Sequence, residues 1–202
     1  FQTDVVSLYD AEDGSIGNVL ERAGAKIYYL GKRRGFDRRM FSRFTSVLKE
    51  VRPDVVHSHN YVLRYTLWPA LREKVPVQLH TIHNVADKET DFLGRLLQKW
   101  AFRGRVHPVS IADEVSRSFR KVYKLDRPTL IPNGIAVDEF VMPPHTREDW
   151  RKKEGFGPND LLFTCIARLF PQKNHRTLLE AFAAGPASVP NAKLVLAGDG
   201  EL

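Results

Sequence analysis

Short apolar segments recur along the chain with segments of helical periodicity between them, and this alternation constrains the fold most. Most of the apolar segments are rich in Val, Ile and Leu without strict alternation, which is typical of strands covered on both faces. Eight of them predict strands, at 4–9, 26–30, 54–59, 75–81, 106–110, 129–132, 161–167 and 193–197. The segments between them predict helices at 17–23, 38–51, 91–102, 111–122, 146–155 and 175–184. This order predicts an α/β fold with parallel sheets and helices on both faces.

The chain length and a proline-rich interruption predict two domains. The 202 residues suit one large domain or two small ones. A polar, proline-rich stretch over 138–160 interrupts the alternation and is the best linker candidate. We therefore predict a first domain over 1–143, with the linker and the beginning of a second domain over 144–202. The chain starts without Met inside a predicted strand and stops directly after another, so we expect it to be a fragment.

Cysteine usage and hydropathy bear on the compartment. Cys165 is the single cysteine, so no disulfide forms within the chain and a reducing compartment is favoured. No apolar run approaches the ~18 residues that would span a bilayer, and no basic-then-apolar leader opens the sequence. These features predict a cytoplasmic protein.

Polar clusters follow three of the predicted strands, at 57–60, 80–84 and 131–134. His57 and His59 lie two residues apart on a strand and so face the same side. Asn133-Gly134 fits a tight turn with positive φ. Each cluster alone is typical of a hydrogen-bonded turn, but in parallel α/β folds ligands bind beyond the carboxyl ends of the strands.

A fourth feature combines two cations with a helix start. Arg168 and Lys173 follow the strand at 161–167, and a helix begins immediately after them with Asn174 as its predicted cap. Two cations beside a helix N-terminus make a site for a diphosphate. The alternative is a pair of solvated surface cations next to a helix cap.

In this order and spacing, the motifs resemble those of retaining GT-B glycosyltransferases of family 4, especially the bacterial polysaccharide-assembly members. The resemblance covers essentially the whole chain. Its motifs are 52–59, 80–84, Ser110, 131–135 with Asp138 and Phe140, Arg168-Leu169 with Lys173, and 197–200.

The resemblance implies transfer of a sugar from a nucleotide-diphosphate donor to a glycan or lipid-linked acceptor, with retention of configuration. It implies that Arg168 and Lys173 bind the donor diphosphate and that His83 is a catalytic residue in the interdomain cleft. It places His59, Asn60 and Tyr61 on the acceptor side, and Asn133, Gly134, Gly198 and Gly200 in donor-side loops. It implies no bound metal or other cofactor, in keeping with the lack of an Asp-x-Asp motif.

Two parts of the family pattern are missing from the sequence. A first strand with its glycine-rich loop should precede Phe1, and a pair of glutamates should lie beyond Leu202. We therefore expect a nearly complete N-terminal Rossmann-like domain without its first strand, a truncated C-terminal domain, and no activity from the chain alone. A truncated family member acting only as a binding or assembly piece is the alternative.

The basic charge is concentrated in one window. Lys32–Arg52 holds eight basic and two acidic residues, which allows peripheral contact with an anionic membrane that carries a lipid-linked acceptor. An apolar stripe in the same window either packs on the sheet or forms an interfacial face; its residues are Met40, Phe41, Phe44, Val47, Leu48 and Val51. In the segment 91–102, Phe92, Leu93, Leu96, Leu97 and Trp100 likewise share one helical face.

Two other function classes have weaker support. His57, His59, His80 and His83 suit the ligands of a zinc hydrolase, but no matching carboxylates stand out. The basic window suits nucleic acid in charge, but no recognition motif accompanies it. We therefore expect neither a resident metal nor a nucleic-acid partner.

Overall fold

The computed structural model of the protein describes residues 2–11, 16–126, 128–141 and 143–202. The chain divides into two compact units, Phe1–Gly134 and Ile135–Leu202. This division precedes the proline-rich stretch, whereas the sequence-based boundary lies within it.

The first unit contains two parallel sheets. Strands β1 (Val5–Ser7) and β2 (Ile27–Tyr29) pair with each other. A four-stranded sheet has the order β3-β4-β5-β6, with β3 at Val55–His59, β4 at Val77–Ile82, β5 at His107–Ser110 and β6 at Thr129–Leu130. All its pairings are parallel, so the carboxyl ends of neighbouring strands meet at one edge.

The helices of this unit are α1 (Ile16–Arg22), α2 (Arg39–Val51), α3 (Leu63–Arg72), α4 (Phe92–Ala101) and α5 (Asp113–Tyr123). Helix α3 was not predicted because Pro69 lies inside it, and a proline removes one helical hydrogen bond. The helix forms nonetheless because its buried side chains, among them Leu63 and Leu67, join the core.

Two apolar cores form around the sheets. In one, Met40, Phe44 and Leu48 of α2 pack with residues of β1, β2 and α3. In the other, Ile82 at the end of β4 packs with residues of α5 and of the segment after α4. Both cores lie beside the strands whose carboxyl ends carry the polar clusters, and they therefore fix the positions of those ends.

The second unit contains helix α6 (Pro144–Lys153), strand β7 (Leu161–Ile166), helix α7 (His175–Ala184) and strand β8 (Ala192–Ala197). Strands β7 and β8 pair in parallel from Leu161↔Ala192 to Ile166↔Ala197. The strands predicted from sequence are present in both units, with bounds within two residues of the prediction.

Helix α4 turns three of its large apolar residues outward, while Leu97 and Trp100 pack partly against the core. The residues it buries are Gly94, Gln98 and Ala101. Phe92, Leu93 and Leu96 are 64%, 74% and 52% exposed. Within the described ranges, none of the helices has the length and apolar character needed to cross a bilayer.

Candidate active site

The candidate site residues fall into two groups, one in each unit. In the first unit, β3 and β4 pair with His59 opposite Thr81 and Ser58 opposite His80. The ring centroids of His57 and His59 are 4.4 Å apart, while Ser58 between them is buried. The prediction that His57 and His59 share one side of the strand is confirmed.

His83 joins this group directly after β4. Its Nε2 atom lies 3.0 Å from Nδ1 of His59, so one ring donates a hydrogen bond to the other. The Nε2 atom of His57 is 2.7 Å from the Thr81 hydroxyl oxygen. The carboxyl ends of β3 and β4 thus present three imidazoles and a hydroxyl on one face.

The electrostatics of this histidine group favour neutral rings. Partial burial, followed by the nearby His83, lowers the pKa of His57. Partial burial also lowers the pKa of His59, with His57 and His83 acting in the same direction. A neutral imidazole has one donor and one acceptor nitrogen, so each of these two rings can bind a sugar hydroxyl through one nitrogen and a protein group through the other.

His80 belongs to a separate, buried network. Its Nδ1 lies 2.9 Å from the Ser58 hydroxyl and its Nε2 lies 3.4 Å from the Gln98 amide nitrogen. The Tyr123 hydroxyl donates to the Gln98 amide oxygen. Burial lowers the pKa of His80 to about 3, which marks it as a neutral core histidine.

This arrangement does not assemble the four-histidine metal site of the zinc-hydrolase alternative. His80 hydrogen-bonds on the Ser58 side of the strands, whereas His59 and His83 hydrogen-bond with each other on the opposite side. Among the described residues, no group of three or more His, Cys, Asp or Glu side chains is arranged to hold a metal ion.

Asn60 and Tyr61 continue from β3 into a short 3₁₀ helix. Asn60 has a φ of +54°, a left-handed conformation that Asn adopts more readily than most residues. The hydroxyl oxygens of Tyr61 and Tyr9 are 2.5 Å apart. Burial, followed by this hydrogen bond, raises the pKa of Tyr61. The Nζ atom of Lys32 lies 5.3 Å from the Tyr9 ring centroid and 5.9 Å from that of Tyr61.

Three residues that the sequence does not identify as site residues lie close to the candidate residues. They are Tyr9, Lys32 and Glu89. Tyr9 comes shortly after β1, as Asn60 comes after β3. This position at the end of a parallel strand is the sequence feature that could have identified Tyr9 as a site residue. Glu89 is 8% exposed, and its carboxylate accepts a 2.9 Å hydrogen bond from the main-chain N–H of Asn84. Burial raises the pKa of Glu89. The carboxylate thus holds the turn that carries His83, a role without a signal in periodicity.

Asn133 and Gly134 differ locally from the prediction. They follow β6 in exposed backbone, and neither has a positive φ. The predicted tight turn with positive φ at Asn133-Gly134 is therefore wrong. A donor-side role for these two residues stays a prediction.

In the second unit, one of the two predicted diphosphate-binding cations precedes a short 3₁₀ helix and the other is its last residue. Arg168 follows β7, and Lys173 ends the 3₁₀ helix Pro171–Lys173. Helix α7 begins at His175. Among the described residues, the Asn174 side chain makes no capping hydrogen bond to this helix, so the predicted cap is wrong. The first N–H groups of α7 therefore have no side-chain cap from Asn174, and Lys173 comes two residues before the helix; uncapped N–H groups at a helix N-terminus can bind anions.

Gly198 and Gly200 hold the backbone on either side of Arg168. A Cβ atom on Gly198 would lie 1.9 Å from the carbonyl oxygen of Ala167, and one on Gly200 would lie 2.1 Å from that of Leu169. The N–H of Leu169 donates a 2.9 Å hydrogen bond to the carbonyl oxygen of Asp199. Only glycine permits this close approach, so these two residues shape the segment that carries Arg168.

The basic window is partly used within the fold. The Arg39 guanidinium lies 2.6 Å from the Asp37 carboxylate and holds the pKa of that carboxyl well below its usual range. Arg43 donates to the carbonyl oxygen of Leu30. The apolar stripe of α2 lies in the core, so the alternative that this stripe forms a membrane-interfacial face is wrong.

Comparison with known proteins decides the family. The sequence pattern of Glycosyltransferase Family 4 matches residues 2–139, and that of Glycosyl transferases group 1 matches residues 146–202. The chain belongs to glycosyltransferase family 4. The family predicted from the motifs is therefore confirmed.

Two curated relatives act on lipid-linked or lipid molecules, according to their names. The alpha-monoglucosyldiacylglycerol synthase of Streptococcus pneumoniae is 28% identical over 188 residues, which cover 86% of this chain and 42% of the relative. The UDP-Gal:alpha-D-GlcNAc-diphosphoundecaprenol alpha-1,3-galactosyltransferase of Escherichia coli is 29% identical over 167 residues, covering 77% and 43%. The chain thus spans less than half the length of these relatives.

Solved structures show the same fold. Anabaena Alr3699/HepE in complex with UDP and glucose has a TM-score of 0.79 at 14% identity, covering 98% of this chain and 54% of that one. A glycosyltransferase from Rickettsia africae has a TM-score of 0.76 at 15% identity, covering 98% and 52%. The prediction of an α/β fold of the GT-B type is confirmed.

Proposed function

We propose that the chain carries donor and acceptor residues of a retaining glycosyltransferase that transfers a sugar from a nucleotide-diphosphate donor to a glycan or lipid-linked acceptor. The observation that supports this proposal is that the backbone carrying Arg168 is held by two glycines in the segment between β7 and α7, and that Lys173 ends the 3₁₀ helix two residues before α7 begins. Family membership supports the reaction class.

On the donor, the two cations have an electrostatic role. As the glycosidic bond breaks, negative charge develops on the departing diphosphate. Arg168, Lys173 and the first N–H groups of α7 would stabilise that charge without a bound metal. The UDP complex of the Anabaena protein with this fold supports a nucleotide-diphosphate donor.

On the first unit, His83 is proposed to contact the reacting sugar while its Nε2 remains hydrogen-bonded to His59. The side chains facing this edge at the ends of β3 and β4 are imidazoles and a hydroxyl rather than a pair of carboxylates. A retaining glycosidase uses two carboxylates about 5 Å apart. We therefore propose retention by leaving-group stabilisation and positioning.

The acceptor is proposed to be lipid-linked, with His59, Asn60 and Tyr61 on its side. The names of the curated relatives support this choice, since they specify a diacylglycerol and a diphosphoundecaprenol compound. We propose a role in cell-surface polysaccharide synthesis, at the cytoplasmic face of the membrane.

Titration calorimetry with UDP, GDP and ADP tests the donor site. We expect one nucleotide to bind saturably, with affinity at least about tenfold lower in Arg168→Ala, because a charge-assisted diphosphate contact is lost. Arg147→Ala is the matched control, since it removes the same charge from exposed α6 of the same unit. Equal affinities in both variants would contradict the proposed role of Arg168.

A further inference from the structure

Helix α4 exposes a contiguous apolar face. Phe92, Leu93 and Leu96 point away from the side on which Gly94 and Gln98 are buried. With 3.6 residues per turn, positions 92, 93 and 96 lie within one side of the helix. Such a face is ordinarily turned toward a core, so its exposure calls for a partner.

A pair of tryptophans extends this face. Trp100 lies one turn after Leu96 on α4, and its ring centroid is 5.0 Å from that of Trp68 on α3. Trp68 is 51% exposed. We call Phe92, Leu93, Leu96, Trp100 and Trp68 together the α4 surface. Tryptophan at the edge of an apolar face is typical of groups that lie at a membrane–water interface.

The charges along α4 itself and in the segment directly after it are of one sign. The segment from Phe92 to Arg105 contains Arg95, Lys99, Arg103 and Arg105 and no acidic residue. The Arg105 guanidinium lies 3.8 Å from the Trp100 ring centroid. Asp91, directly before the helix, caps its N-terminus and pairs with Arg64 at 3.1 Å. An apolar face bordered by cations is the pattern of a helix that lies in the interface of an anionic bilayer.

We infer that the α4 surface docks the protein on an anionic membrane, with Phe92, Leu93 and Leu96 entering the interface. The choice of a bilayer rests on the proposed lipid-linked acceptor, whereas the surface itself follows from burial and charge. A second copy of the chain fits less well, because symmetric pairing through this face would bring like cations together. The inference moves the membrane contact from the window Lys32–Arg52 to a different element.

Vesicle sedimentation tests this docking. The chain is mixed with vesicles of phosphatidylcholine alone, or of phosphatidylcholine and phosphatidylglycerol in equal parts. We expect binding to the anionic vesicles only, and at least about tenfold weaker binding by the triple variant Phe92→Ser, Leu93→Ser, Leu96→Ser. Because the replaced side chains are exposed, circular dichroism should show an unchanged fold.

The matched control neutralises exposed charge in the other basic region, with Arg33→Gln, Arg34→Gln and Lys49→Gln. We expect this control to retain most of the binding. Loss of binding in the control but not in the triple variant would overturn the inference in favour of the basic window. Self-association that the triple variant abolishes, without vesicle binding, would overturn it in favour of a second copy. Absence of binding to either vesicle would also overturn it.

A fluorescence measurement gives a second readout. In the Trp150→Phe variant, emission comes from Trp68 and Trp100 alone, since the chain has three tryptophans. We expect quenching by brominated lipid in anionic vesicles, and no quenching would contradict the inference. Nucleotide titration of the triple variant separates the two proposals, because donor binding depends on the second unit and should be unchanged when vesicle binding is lost.

Discussion

In α2 the apolar residues Met40, Phe44 and Leu48 lie in the core, each 4% exposed or less, whereas in α4 Phe92, Leu93 and Leu96 are all more than half exposed. Both segments place their apolar residues on one helical face. The difference arises on the opposite side of each helix. The face of α2 opposite its apolar stripe makes no comparable buried contact among the described side chains, but α4 contributes Gln98 to the buried network of His80 and Tyr123.

Periodicity therefore identifies an amphipathic helix but does not determine which of its faces is buried. A buried polar network and two small residues hold α4 in place, and its apolar face remains for a partner. Four measurements test this difference between α2 and α4.

The largest expected effect is in α2. Phe44→Ala leaves a cavity in the core, and we expect the free energy of unfolding to fall by about 3–5 kcal/mol. Urea denaturation, monitored by tryptophan fluorescence, measures this free energy of unfolding. A loss below about 1 kcal/mol would mean that α2 is not the packed helix of the pair.

The next effect concerns the buried side of α4. Gln98→Leu keeps approximate volume but removes the partners of the Tyr123 hydroxyl and of His80, for an expected loss of about 1–3 kcal/mol. The exposed Gln172 is the matched control, and its replacement by Leu should cost less than about 0.5 kcal/mol. Equal losses in the free energy of unfolding for the two variants would mean that the polar network does not determine the orientation of α4.

The same network predicts a pH dependence. The folded pKa of His80 is about 3, below the ordinary value of 6.5, so the unfolded chain binds a proton that the folded protein does not. Stability is therefore fully present above pH 6.5 and falls as the pH drops toward 3, with a slope of up to about 1.4 kcal/mol per pH unit for this group. Denaturation at a series of pH values should show a shallower slope in His80→Gln, and an unchanged slope would refute the role of His80.

The smallest effect lies on the exposed side of α4. Phe92→Ala should change the free energy of unfolding by no more than about 0.5 kcal/mol, because the side chain is 64% exposed. A loss close to that of Phe44→Ala would show that this face is packed in the protein, and the inferred docking surface would not exist.

The sequence predicts the strands and most helices well because short Val-, Ile- and Leu-rich segments alternate with segments of clear helical periodicity. It misses α3, where tertiary packing outweighs the effect of Pro69. For α2 the pattern is compatible with packing on a sheet or with contact to a lipid surface, and in the structure the stripe lies in the core.

For the site, spacing along a strand is sufficient to place His57 and His59 together. The 3.0 Å contact between His59 and His83 depends on the register of β3 against β4, which no local motif encodes. Glu89 acts through a main-chain N–H, and Tyr9 through a residue 52 positions away. Such contacts become visible only when the whole fold is present.

The two glycines beside Arg168 bear on the thermodynamics of donor binding. Because Ala167 and Leu169 are pressed against Gly198 and Gly200, the backbone that carries the guanidinium is already ordered before any ligand arrives. Only the side-chain torsions of Arg168 then lose freedom on binding, so the entropic penalty is confined to a few bonds. Replacing either glycine would make the backbone at Arg168 less ordered, and in the proposed donor site we expect the same charge to bind a diphosphate more weakly.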